Sequence, residues 1–157
     1  MKKRKEDRLK DAMENYKKLL LHMAYSYLGR VEDAEDVVQE AFLAYYQKAP
    51  DFCDAEHEKA WLLKVTKNKC KNELKSAWVR KTVFGEEKGK TNETFHSEIL
   101  EMVLSLPLNY REVICLYYIE GYSIKETAEL LGRSQTAVGT QLQRARKLLR
   151  IEWEESS

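Results

Sequence analysis

Wherever apolar residues recur in this chain, they recur mostly at three- and four-residue intervals. In "GRVEDAEDVVQEAFLAYYQK", Ala34, Val37, Val38, Ala41, Phe42 and Tyr45 form a continuous stripe along one side of a predicted helix. In "AWLLKVTKNKCKNELKSAWVRK", Trp61, Leu62, Val65 and Leu74 make the apolar side of another. No alternating run suggests a strand of more than a few residues, and both prolines, Pro50 and Pro107, fall where a helix would stop or start. Between Trp78 and Phe95 the periodicity disappears. The predicted fold is all-α: two small helical domains, 1–78 and 95–157, joined by a flexible polar linker at 79–94.

The second half carries finer signals. Leu106 and Pro107 open a helix whose Val113, Ile114, Leu116, Tyr117 and Ile119 turn toward a core, and Gly121 supplies a left-handed residue to end it. Ser123 and Glu126 form an S-x-x-E capping box that starts a short helix burying Ile124, Thr127, Ala128 and Leu131. Gly132 then makes a tight turn, and Ser134 is placed to cap the next helix, whose buried stripe is Val138, Leu142, Ala145 and Leu149. Small Ala128, turning Gly132 and Val138 in the angle describe a helix-turn-helix over 124–143. In such a unit the second helix enters the major groove N-terminus first. Gln135, Thr136, Thr140 and Gln141 are then placed for base edges, and Arg133, Arg144, Arg146 and Lys147 for phosphates. Gly139 is unusual inside a helix, where it costs about 1 kcal/mol, and is expected to permit close approach of the backbone to DNA.

Charge sharpens this. From Arg133 to Arg150 there are five positive charges and no acid, in a chain of 157 residues with a formal net charge of +1. Glu32, Asp33, Glu35, Asp36 and Glu40 place five acids in nine residues, with no basic residue between Val31 and Gln47. Some of these favour the helix dipole. The face shared by Asp33, Asp36 and Glu40, with Gln39 beside it, suggests a basic protein surface as partner. From Lys64 to Lys81 the sign reverses, with seven basic residues against Glu73. Lys64, Lys67, Lys71 and Lys75 line one side, and Asn68 and Asn72 lie a turn apart, a composition suited to single-stranded or opened DNA.

Other chemistries find less support. Cys53, Cys70 and Cys115 lack C-x-x-C spacing and fit buried or idle thiols in a reducing compartment. Cys53 with His57 is too small a set for zinc. The spacing of Gly85, Gly89, Lys90 and Thr91 is one residue short of a P-loop and would aim Glu86 and Glu87 at phosphates. No metal, cofactor or catalytic residue is expected, and His22, His57 and His96 stand in no nucleophile motif. The N-terminus lacks the apolar stretch of a signal peptide and no run approaches a membrane span, so the expected compartment is the cytoplasm.

An acidic helix, a lysine-rich helix, a linker and a helix-turn-helix, in that order, resemble the sigma-70 family of bacterial RNA polymerase sigma factors, in its small extracytoplasmic-function (ECF) group. "YLGRVEDAEDVVQEAFLAYYQK" is similar to regions 2.1–2.2, "WLLKVTKNKCKNELK" to regions 2.3–2.4, and "LPLNYREVICLYYIEGYSIKETAELLGRSQTAVGTQLQRARKLLR" to region 4. The resemblance implies a region 2 bundle over 1–78 and a region 4 helix-turn-helix over 95–157. It implies that Asp33, Asp36, Gln39, Glu40 and Phe42 support binding to core RNA polymerase, whose clamp helices and flap are the docking elements. It gives Trp61, Lys64, Asn68, Lys71 and Asn72 to the minus-10 element. To the minus-35 element it gives Arg133, Ser134, Gln135, Thr136, Thr140, Gln141, Arg144, Arg146 and Lys147. The family often has an acid where Asn72 stands, a base where Gly139 stands and arginine where Gln141 stands.

The implied function is promoter-specific transcription initiation in a stress or envelope response, without enzymatic activity. An anti-sigma factor, often membrane-anchored, is an implied partner besides polymerase and promoter DNA, with no membrane insertion by this chain itself. The competing readings are a stand-alone helix-turn-helix regulator, which needs no acidic helix followed by a lysine-rich one, a hydrolase, and a helical adaptor that binds only protein.

Overall fold

The computed structural model describes residues 4–84 and 98–156. All regular structure among them is helical. The chain divides into two units, Met1–Lys90 and Thr91–Ser157.

The first unit packs three helices pairwise: α1 (Lys5–Leu28), α2 (Val31–Lys48) and α3 (Ala55–Phe84). α1 ends at Gly29, whose left-handed backbone (φ 73°) lets its N–H donate to the Tyr25 carbonyl at 2.8 Å. α2 follows two residues later, with Glu32 and Asp33 in the first turn where the helix dipole favours acids. Leu20, Met23, Ala24 and Tyr25 of α1, Val37, Val38 and Ala41 of α2, and Leu62, Leu63 and Cys70 of α3 are all buried. Each large side chain removed from water there stabilises the unit by about 1.5–3 kcal/mol before chain entropy is counted.

α3 runs past the domain limit expected at 78. Between Trp78 and Phe84 the sequence holds no glycine or proline, and Val79 and Val83 stand four residues apart, so helical spacing continues past Trp78. Residues 85–94 of the expected linker, with the Gly85–Thr91 segment set aside above as a P-loop, lie outside the described residues.

The second unit holds α4 (Glu98–Val103), α5 (Leu108–Ile114), α6 (Ile124–Leu131) and α7 (Gln135–Ser156). α5 continues without a break into one π-helical turn, Cys115–Ile119, closed by the Glu120 N–H on the Cys115 carbonyl at 3.0 Å. Gly121 (φ 79°) then ends the helix, as its position predicts. Val103, Leu106, Val113, Ile114, Ala128, Val138, Leu142 and Ala145 form the core, with Ile124, Leu131 and Leu149 half-buried around it. Leu130, not Leu131, is the more buried of that pair.

Two buried groups of the first unit tie its stability to alkaline pH. Burial pushes the Cys70 thiol up from 9.0 to about 12, with Glu73 adding to the effect. Burial, then the hydrogen bond to Glu58, raises the Tyr45 phenol from 10.0 to about 12. The folded values lie above the ordinary ones, so each contribution is complete below the ordinary value and is lost as pH rises toward 12. The melting temperature of this unit should therefore fall between pH 9 and 12. Tyr45→Phe should flatten the part above pH 10 and Cys70→Ala the part above pH 9 in thermal melts followed by circular dichroism. An unchanged slope in both variants would assign the alkaline loss to other groups.

Candidate nucleic-acid interface

The helix-turn-helix is built by three local devices. The Ser123 hydroxyl accepts from the Glu126 N–H at 3.0 Å, while Glu126 Oε1 accepts from the Ser123 N–H at 3.0 Å, closing the capping box at the start of α6. Gly132 (φ 67°) ends α6 in a Schellman turn, in which its own N–H reaches the Glu129 carbonyl and the Arg133 N–H reaches that of Ala128. Ser134 Oγ then accepts from the Ala137 N–H at 3.0 Å and caps α7. Ala128 and Val138 are buried between the helices, so the angle of α7 is set by small and medium apolar groups.

The residues expected to meet DNA divide into two sets. Ser134, Gln135, Thr136, Arg144 and Lys147 are exposed, and Thr140 and Gln141 are half-buried along the same helix. Arg133 and Arg146 are engaged by the protein. Arg133 Nη2 pairs with Glu112 Oε2 at 2.5 Å, and its Nη1 donates to the Asn109 carbonyl at 3.2 Å and to Gln141 Oε1 at 3.1 Å. The side chains of Arg133 and Glu112 are only 21% and 4% exposed, so the expected phosphate contact of Arg133 gives way to a shielded ion pair inside the unit. Arg146, still exposed, donates from Nε to the Tyr118 hydroxyl and lies over the Tyr117 and Tyr118 rings at 5.8 and 5.4 Å. Sequence reasoning missed Glu112. The available signal was an acid within an apolar run, four residues before buried Leu116.

In the first unit Lys64, Asn68, Lys71, Asn72 and Lys75 are exposed along α3. Trp61 is half-buried, because its ring closes an aromatic cluster with Tyr45 and Phe52, at centroid distances of 6.1 and 5.9 Å, and His57 stands edge-on to Phe52 at 5.0 Å. Phe52 belongs to the α2–α3 connection, which the sequence reading had not singled out. Arg8 of α1 steadies that connection: its Nη2 donates to the Pro50 carbonyl at 3.0 Å and its guanidinium lies over the Tyr45 and Phe52 rings. A cleft lined by Lys5, Arg8, Asp11, Asn15, Tyr45, Asp51, Phe52, Asp54 and Glu58 opens beside it. That cleft carries four carboxylates against Lys5 and Arg8, so it is the exposed lysine row of α3, with Trp61 one turn before Lys64, that suits an opened strand.

On α2, Asp36, Gln39 and Glu40 are exposed and Asp33 is half-buried beside Arg30, whose Nε lies 3.8 Å from its carboxylate. Glu40 Oε2 stands 4.0 Å from Lys69 Nζ of α3 while remaining largely open to solvent. Phe42 differs from its four neighbours in the expected docking set. It is 5% exposed and packs in the core, with part of its ring at the groove between α1 and α2. Leu43, 55% exposed, is the apolar residue that α2 does present, and with Met13, Leu21, Val38 and Gln39 it lines a groove of about 580 Å³ between α1 and α2.

Cys53 is exposed, and its N–H donates to His57 Nδ1 at 3.2 Å, so the pair noted in the sequence is a local turn contact. Among the described residues, no group of three or more histidine, cysteine, aspartate or glutamate side chains could hold a metal ion, and no helix is long and apolar enough to cross a membrane.

Comparison with known proteins follows the same division. Residues 12–80 match the family described as Sigma-70 region 2, and residues 96–149 match Sigma-70, region 4. The ECF RNA polymerase sigma factor SigW of Bacillus subtilis is 28% identical over 170 residues, covering 96% of this chain and 91% of its own. The RNA polymerase sigma factor CnrH of Cupriavidus metallidurans is 31% identical over 136 residues, covering 74% of this chain and 71% of its own. The fold is similar to that of the sigma factor RpoE in complex with the anti-sigma factor NepR from Bartonella quintana (TM-score 0.73, 22% identity, 92% of this chain and 96% of that one). It is also similar to CnrH in complex with the cytosolic domain of CnrY (TM-score 0.70, 26% identity, 97% and 91%). With both regions matched in order along the two helical units, the chain belongs to the sigma-70 family of RNA polymerase sigma factors, in its ECF group.

Proposed function

We propose that the two units divide promoter recognition between them. The first, 1–78 with the continuing turns of α3, docks on the clamp helices of core RNA polymerase through Asp33, Asp36, Gln39 and Glu40, with Leu43 at the edge of that face. Its α3 row of Lys64, Asn68, Lys71 and Asn72, with Trp61 at the aromatic cluster, holds the opened minus-10 element. The second unit, 95–157, reads the minus-35 element with the N-terminal half of α7, from Ser134, Gln135, Thr136, Thr140 and Gln141, while Arg144, Arg146 and Lys147 meet phosphates. The chain acts as an initiation factor and lends polymerase its specificity, with no chemistry of its own. Its compartment is the cytoplasm, and an anti-sigma factor that covers these faces until a stress signal releases them is the partner suggested by its structural relatives.

One observation carries this reading. A capped helix-turn-helix whose second helix carries no acid from Gln135 to Arg150 shares the chain with an acidic α2 face lying beside a lysine-lined α3. A stand-alone regulator needs only the first of these.

Mixing the purified chain with sigma-free core polymerase and fragmented genomic DNA should give discrete transcripts that depend on the chain. Tight duplex binding by the chain alone, with no dependent transcript, would favour the regulator. Reversing charge at Asp36 and Glu40 should weaken polymerase binding at least tenfold in a core-competition assay and leave upstream-DNA affinity of preformed holoenzyme unchanged.

Gly139 gives an independent check on which face of α7 meets DNA. A Cβ built there meets no atom of the chain within 4 Å, so nothing inside the protein requires a glycine. Gly139→Ala should therefore stabilise α7 by about 1 kcal/mol in a thermal melt. If the DNA backbone packs against this turn, the same change should weaken promoter binding, so that stability rises while initiation falls. Initiation rising along with stability would move the interface off this turn.

A further inference from the structure

Arg133 stands in the helix-turn-helix where a phosphate contact was expected, yet both of its terminal nitrogens are engaged within the unit. Nη2 holds Glu112 of α5, and Nη1 holds the Asn109 carbonyl of α5 and Gln141 Oε1 of α7. One guanidinium thus joins the turn, the preceding helix and the recognition helix. A guanidinium has only donors, so the Gln141 amide must face it oxygen first. The amide oxygen and NH2 group diverge from Cδ, and tethering the oxygen turns the NH2 group away from Arg133. A free glutamine pairs with adenine by accepting from N6 and donating to N7. With one lone pair of its oxygen taken and that atom turned toward Arg133, Gln141 presents its NH2 donors first.

We propose that Arg133 is a positioning residue for upstream-element reading: it fixes the Gln141 amide so that position 141 selects a base edge made of acceptors, favouring guanine, with its O6 and N7, over adenine. The inference rests on the proposal that the N-terminal half of α7 enters the groove. Glu112 completes the device. Its shielded carboxylate holds the guanidinium in place, so the orientation of Gln141 is set from α5, on the side of the helix-turn-helix that faces its own core. Arg133 acts on DNA only through Gln141, and its charge is already matched inside the protein.

The test uses holoenzyme assembled with the full chain and a promoter set carrying each base at each upstream position, with affinities measured across a salt series. Gln141→Ala should flatten the preference at one position, by about tenfold in the favoured-to-disfavoured ratio. Arg133→Ala should flatten or shift toward adenine the preference at that same position, and combining it with Gln141→Ala should add nothing further. Because Arg133→Ala deprives a shielded carboxylate of its guanidinium, the paired change Glu112→Gln with Arg133→Gln provides a charge-free variant, whose melting curve confirms folding and which should show the same loss of preference. The logarithmic salt slope should stay that of the wild type in every variant.

A slope smaller by about 0.9 in the Arg133 variants would mean a phosphate contact and overturn the proposal. So would an undiminished guanine preference without Arg133, or a Gln141→Ala variant that changes no position while Gln135→Ala does. In those cases upstream reading by α7 would stand. A wild-type holoenzyme with no preference at any upstream position would instead remove the reading on which the proposal rests.

Discussion

In α2 and α7 the core claims one stripe, and what remains outside is what is available for partners. Units of this size bury a modest fraction of their surface, so most apolar positions are drawn into the core and the few left outside among the described residues, Met13, Leu43, Tyr118 and Leu148, stand out. In α7 the core consumes Val138, Leu142 and Ala145 and leaves outside a stretch, Gln135 to Arg150, that contains no acid. In α2 it consumes Val31, Ala34, Val37, Val38, Ala41 and Tyr45 and leaves Glu32, Glu35, Asp36 and Glu40 outside. Selection for partner chemistry therefore acts on faces whose direction the core has already fixed, which is why charge of one sign can collect on a single helix.

The same constraint explains why much of the fold can be read in one dimension. A capping box, a Schellman glycine and a heptad-like stripe are local, and each lies within about one turn of the residue it serves. Ser123, Gly132, Ser134 and Val138 could be identified from spacing for that reason. What spacing conceals is long-range or compositionally silent. Arg133 meets Glu112 across 21 residues and Arg8 meets the Pro50 carbonyl across 42, and neither separation leaves a period in the sequence. The π turn at Cys115–Ile119 changes the hydrogen-bond step without changing which residue types are tolerated. The extension of α3 to Phe84 adds under two turns beyond Trp78, too few for the spacing of Val79 and Val83 to stand out as a period.

Of the candidate faces, those defined by what they exclude were the more legible. An acid-free stretch on α7 and a base-free stretch on α2 are visible in a list of residues, because exclusion needs no partner. Faces defined by assembly were not. The cluster of Tyr45, Phe52, His57 and Trp61 draws on α2, the connection after it and α3, and it depends on Arg8 of α1 to hold the connection in place. Phe42 lies in the apolar stripe read from the sequence and is buried with it, whereas the exposure of Leu43, outside that stripe, is decided only by packing.

Charge counting needs the same correction. Five cations between Arg133 and Arg150 would give a logarithmic salt slope of roughly 4.5 if each met a phosphate. Glu112 cancels Arg133 inside the unit, which lowers the ceiling to roughly 3.6 for the same stretch. The near-zero net charge of the whole chain does little to change this at close range, since at physiological ionic strength charges more than about 8 Å apart are largely screened from one another. What restrains indiscriminate binding by α7 is therefore local. Of the five cations, Arg133, just before α7, is paired with Glu112 inside the unit, and Arg146 must leave the Tyr118 hydroxyl to meet a phosphate. With fewer unspecific contacts, a larger share of the binding free energy must come from the base edges.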